Sequence, residues 1–141
     1  MYKCKHFKIY ELVPPQVFKD RGQKAWELLD PNLLMLIDRI KMYFSPDDPV
    51  TINDWKWGGK FKWSGLRNPQ ARKYYSPTSQ HTFGRAADMK FKNITPKKIR
   101  TIIRDDPSYW DEMGVRCVEN KTGTWLHVDV RNCIPIKWVN P

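Results

Sequence analysis

The stretch "VRCVENKTGTWLHVDVR" (Val115 to Arg131) decides the reading of the fold. Two β-prone runs flank the turn-forming residues Asn120 to Gly123, so the segment reads as a β-hairpin. Along its second strand, side chains alternate between faces, with Leu126, Val128 and Val130 on one and Trp125, His127, Asp129 and Arg131 on the other. The apolar face belongs to a core. The opposite face carries a row of titratable groups, too polar for a buried surface unless they bind something.

Working outward, "RAADMKF" (Arg85 to Phe91) alternates in the same way. Ala86, Asp88 and Lys90 share one face, and Ala87, Met89 and Phe91 the other. Just before it, His81 and Asp88 stand seven residues apart with Gly84 and two alanines between them. Small residues in that position imply that something approaches the backbone. Farther upstream, "PVTIND" (Pro49 to Asp54) reads as another strand. Asp30 followed by Pro31 reads as a helix N-cap with proline at the first helical position. Leu33, Leu36, Ile37 and Ile40 then form one apolar stripe. A short helix around Ala25 to Leu29 precedes it. Thr95-Pro96 opens a second main helix, carried by Ile99, Ile102 and Ile103 and stopped near Pro107. Between residues 56 and 80 lies a long irregular region, and loops of that length are more often functional than idle. The predicted class is α+β, a small antiparallel sheet with helices packed on it, in one domain spanning residues 1–141.

Composition narrows the function classes. The chain has 141 residues, 40% of them apolar and seven of them Trp, enough for one real core. A formal charge of +10 argues against an acidic metal buffer and for an anionic partner: nucleic acid, a membrane face or a bacterial cell wall. Cys4, Cys117 and Cys133 show no paired spacing, so buried free thiols are expected rather than a zinc ribbon. No apolar run is long enough for a signal peptide or a membrane span, and delivery by some other route is expected.

Two imidazoles and one carboxylate form a common set of protein ligands for catalytic zinc, with water in the fourth position, although ligand type alone selects weakly among divalent metals. His81 and Asp88 from one region, with His127 and Asp129 from another, offer the makings of that set. His6, near the N-terminus, reads as an ordinary surface residue.

Ser79-x-His81-x-x-Gly84-x-Ala86-x-Asp88 resembles the S-x-H-x-x-G-x-A-x-D motif of the M15 zinc peptidases, the D-alanyl-D-alanine carboxypeptidase and phage endolysin group. "TWLHVDVR" (Thr124 to Arg131) resembles that family's closing strand, "SGLR" (Ser64 to Arg67) its substrate-binding segment, and "HFKIYELVPP" (His6 to Pro15) the opening of one of its branches. The resemblance implies a Hedgehog/DD-peptidase-like zinc site at the sheet, with His81, Asp88 and His127 as ligands. It also implies that Arg67 binds a substrate carboxylate or carbonyl, and that Ser79 and Gly84 shape the ligand loop. Ser79 and Trp125 are placed with Arg67 on the substrate side. The implied substrate is bacterial peptidoglycan, cut at stem or cross-link peptides.

One position departs from the family. Many members carry a catalytic Glu three residues before the last histidine, where this chain has Thr124. Asp129, about 7 Å along the strand from His127 at roughly 3.3 Å per residue, is one substitute. Glu119, across the hairpin turn, is another. Asp129 has a second reading, as the residue that orients a ligand histidine.

The aromatic and basic residues of the long loop (Trp55, Trp57, Phe61, Trp63, Tyr74 and Tyr75 among Lys56, Lys60, Lys62, Arg67, Arg72 and Lys73) admit three readings. They suit a groove for peptidoglycan, a platform for single-stranded nucleic acid, or plain packing. The expectation is therefore a zinc peptidase, as a phage endolysin or virion-associated lysin. It would reside in the host cytoplasm before lysis or in the particle with other virion proteins, and act in the cell wall. The rivals are an inactive metal-binding module of a phage particle and a nucleic-acid-binding domain, the latter leaving the His–Asp–His set unexplained.

Overall fold

The computed structural model describes all 141 residues. Helix α2 (Pro31–Phe44) starts where the sequence places it: Asp30 caps it by accepting from the Asn32 backbone N–H, with Pro31 at the first helical position. Its stripe of Leu33, Leu34, Leu36, Ile37 and Ile40 is buried, and each such side chain contributes roughly 1.5–3 kcal/mol by leaving water. Before it, α1 (Pro15–Arg21) leads into a 3-10 helix over Gly22–Leu28, longer than the short helix expected there. Helix α3 (Pro96–Asp105) is capped by Thr95 and buries Ile99 and Ile103. Pro107 does more than stop α3. It opens a further helix, α4 (Pro107–Glu112), whose Trp110 fills the core.

Five strands follow: β1 (Val50–Thr51), β2 (Ala86–Phe91), β3 (Cys117–Glu119), β4 (Leu126–Asp129) and β5 (Lys137–Val139). They form one sheet in the order β1-β2-β4-β3-β5. The expected hairpin is β3–β4, with Cys117 opposite Asp129 and Val118 opposite Val128. The sheet is mixed rather than purely antiparallel, because the unforeseen β5 runs parallel to β3. β1 is also much shorter than the six residues the sequence offered. Ala87, Met89, Val118, Leu126 and Val128 join the α2 and α3 residues in a single apolar cluster, which leaves the other face of the sheet for the polar groups. The free thiols are only partly as expected: Cys117 is buried, but Cys4 and Cys133 are half-buried.

The N-terminal segment packs beneath the long loop. The Leu12 carbonyl accepts from the Leu66 N–H (2.8 Å), and the Val13 carbonyl from the Trp55 indole (2.9 Å). Gly65 lies so close to Leu12 that a Cβ there would stand 2.2 Å from its carbonyl oxygen. Segment 64–67 is thereby pinned against the core, beside the face that carries the polar row.

Candidate metal centre

Strand pairing assembles the site. In the β2–β4 register Asp88 lies opposite His127. Continuing the β3–β4 register by one residue puts Glu119 on the other side of His127. Directly opposed residues share a face, so Asp88, His127 and Glu119 form a row across three strands. His81 reaches the row from a 3-10 helix, Gln80–Phe83, whose N-cap Ser79 accepts from the His81 backbone N–H. That helix ends at Gly84, where φ is +67° and a Cβ would meet the Leu28 carbonyl at 2.1 Å. Conformation and space both demand glycine there.

Three ligand atoms converge. His81 Nε2 and His127 Nδ1 are 3.3 Å apart, His127 Nδ1 and Asp88 Oδ1 2.9 Å, and His81 Nε2 and Asp88 Oδ1 3.3 Å. A tetrahedral cation with bonds of about 2.0–2.1 Å needs ligand atoms about 3.3 Å apart; two of the three separations meet that, and the His127–Asp88 pair is a few tenths of an ångström closer. The remaining ring nitrogens are fixed by their partners. His81 Nδ1–H donates to the Gly65 carbonyl (2.8 Å), which leaves its Nε2 lone pair facing the centre. His127 Nε2–H donates to Asp129 Oδ2 (3.0 Å), which leaves Nδ1 facing the centre. Ligand histidines in metal sites are oriented in this way. The His81–Asp88–His127 group could hold a metal ion.

Asp129 does not stand where a base would. It is fully buried, on the far side of the His127 ring from the convergence point, and its two oxygens accept from the Arg131 side chain (2.8 and 2.5 Å). Its reading as the orienting residue is the one the geometry supports. Glu119 lies on the centre's own side, with Oε1 3.8 Å from His127 Nδ1, and keeps 22% of its side chain exposed.

Charge is distributed to match. Burial works against the Asp88 carboxylate, but the His81 charge and a hydrogen bond from His127 outweigh it and hold the carboxyl well below its usual range. Burial likewise opposes a charged His127, yet hydrogen bonds to Asp129 and Asp88 raise it to about 9 in the metal-free protein. Burial would raise Asp129 too, and the Arg131 and His127 hydrogen bonds reverse that, leaving it ionised far into acid.

Arg67 borders the centre. Its Nε donates to the Trp63 carbonyl (2.9 Å), one Nη to Ser79 Oγ (3.4 Å), and the other Nη faces Asp88 Oδ2 at 3.6 Å. Its guanidinium stacks on Tyr75, 3.7 Å from the ring centroid. Ser79 therefore acts through Arg67 and His81. Trp125, assigned to substrate from its strand face, stands half-buried just before β4, and the hydrogen bonds of the cluster do not include it.

Sequence reasoning missed Lys90. Its half-buried ammonium donates to the Ile52 carbonyl (2.8 Å), Ser64 Oγ (2.9 Å) and the Asp88 carbonyl (3.3 Å), tying the residue after β1, the 64–67 segment and β2 together. The signal was its place two residues after Asp88 on the same strand face. The long loop divides its aromatics. Trp55 packs against Phe18, Trp57 and Tyr74 are exposed, and Phe61, Trp63 and Tyr75 line a small cleft of about 80 Å³ that opens on Asp88 beside Lys60 and Lys62.

Compared with protein-family models, with curated proteins and with solved structures, the chain matches none of them.

Proposed function

We propose that this chain is a zinc-dependent peptidase of M15 type that cleaves peptide bonds in bacterial peptidoglycan, as a phage endolysin or virion-associated lysin. The observation that carries the reading is the convergence of His81 Nε2, His127 Nδ1 and Asp88 Oδ1 within 3.3 Å of one another, beside a carboxylate, Glu119, whose one ion-pair partner is His127 itself. Bound there, zinc would polarise a peptide carbonyl and acidify a water. Glu119 would accept the proton released from that water and return it to the leaving amine. Three of the five guanidinium N–H groups of Arg67 are directed at Trp63, Ser79 and Asp88, which leaves two for a substrate carboxylate or carbonyl. Asp129 would hold His127 in the tautomer that faces the metal.

The test is purified protein on isolated peptidoglycan, with and without chelator and added zinc, and products read by mass spectrometry. New free amino groups that vanish in His81→Ala and on chelation are expected. One equivalent of bound metal with no cleavage of several wall types would replace this reading with that of a metal-binding module.

A further inference from the structure

Helix α3 carries a stripe that the metal chemistry does not use. Lys97, Arg100 and Arg104 follow at spacings of three and four, which places them on one helix face. Together with Asn120 and Lys121 of the β3–β4 turn, and Asn140, they line an open cavity of about 580 Å³ with no apolar residue in its wall. Four cations meet there. None of them takes part in any ion pair of the structure.

Neutral groups hold the two arginines in place. Arg100 is only 6% exposed, and its guanidinium donates to Thr122 Oγ1 (2.8 Å) and to the Thr122 carbonyl (3.4 Å). Arg104 donates to Asn120 Oδ1 and stacks on Trp138, 3.9 Å from the ring centroid. Like charges four residues apart on a helix repel, and burial together with the Arg104 charge disfavours the Arg100 cation. The arrangement is thus short of negative charge while its two guanidinium groups are already positioned.

We propose that this cavity binds successive phosphate groups of a polyol phosphate chain, an anionic polymer without bases. Planar guanidinium forks match phosphate oxygens two at a time, and the lysines add point charges around them. The lining discriminates between polymers. Proteins that hold single-stranded nucleic acid offer aromatic rings on which bases stack. Here the cavity wall has none, and the nearby Trp138 presents a face already covered by Arg104. The site is separate from the metal ligands, so its test needs no turnover.

A glycerol phosphate oligomer titrated into the full chain, followed by calorimetry and Trp fluorescence, provides that test. The variant Lys97→Gln/Arg104→Gln/Lys121→Gln leaves the buried Arg100 in place and should weaken binding at least tenfold, with a shallower salt dependence. A charge-matched control, Lys3→Gln/Lys19→Gln/Lys24→Gln, changes exposed lysines elsewhere and should bind like the parent. Equal weakening in the control would reduce the effect to net charge and overturn the proposal. An oligonucleotide of equal phosphate number binding tenfold tighter through the same residues would overturn it in favour of nucleic acid. Binding that disappears on chelation would move the anion to the metal and overturn it as well. Cleavage can fail while this binding persists, so the two readings fall separately.

Discussion

Glu119 and Asp129 face the two nitrogens of one imidazole, and substitution should separate them. Glu119→Gln keeps size and hydrogen bonding but cannot take a proton. Turnover should fall about 10²–10⁴-fold while metal content stays at one equivalent. Asp129→Asn leaves Arg131 and the His127 tautomer poorly matched, and metal affinity should drop about 10–100-fold, read by competition with a chromogenic chelator. If Asp129→Asn lost turnover at full metal occupancy while Glu119→Gln stayed active, the roles would be reversed. Gly84→Ala adds a Cβ against the Leu28 carbonyl at positive φ and should cost on the order of 3 kcal/mol in denaturant unfolding. The group that could hold a metal ion was legible because histidine and aspartate at that spacing stand out in the sequence. Glu119 was legible as a candidate across the hairpin turn, but its place directly beside His127 was not, because a neighbour across a strand is written in the pairing register rather than in local spacing.

At the level of elements, caps and stripes were the readable part. Asp30-Pro31 and Thr95-Pro96 each opened a helix where expected, since side-chain capping is a local interaction. Asp30→Ala should therefore cost about 1 kcal/mol of global stability and leave metal affinity unchanged, because Asp30 also holds the Gly84 carbonyl through its backbone N–H. A change in metal affinity would show that this cap is coupled to the ligand loop. Pro107 was half legible: a proline that ends one helix also suits the first position of the next, and Asp106 caps it by accepting from the Tyr109 N–H. β5 was not legible at all. Three residues, "KWV", carry little pattern, and their pairing with β3 depends on how the chain returns after β4.

Across the whole molecule, the polar face makes stability depend on pH in a direction that metal should change. In the metal-free protein His127 is raised to about 9 from an ordinary value near 6.5. A raised histidine stabilises fully below the unfolded value, and that contribution is lost as pH climbs from about 6.5 through 9. The lowered Asp88 and Asp129 act oppositely: their contribution is present above about 3.9 and is lost as pH falls below it. Chelated protein should thus melt highest between about pH 4 and 6.5. Zinc bound there would take the place of the proton on His127 and should remove the alkaline decline. A melting-temperature series from pH 4 to 9.5, with and without chelator, checks this. An alkaline decline of equal size with zinc present would count against zinc at His127.

The row of Asp88, His127 and Glu119 across β2, β4 and β3 also bears on how the chain finds its fold. A slip of one residue between β2 and β4 would turn His127 into the apolar layer and carry Leu126 out of it. Only one register closes the triangle of ligand atoms, and His81 joins it from 46 residues away in sequence. An ion captured there would act as a proofreader, rewarding the correct alignment and nothing else. Amides at the centre of β2 and β4 should exchange markedly more slowly once zinc is added, while those of α2, whose packing is settled by its own stripe, should change little.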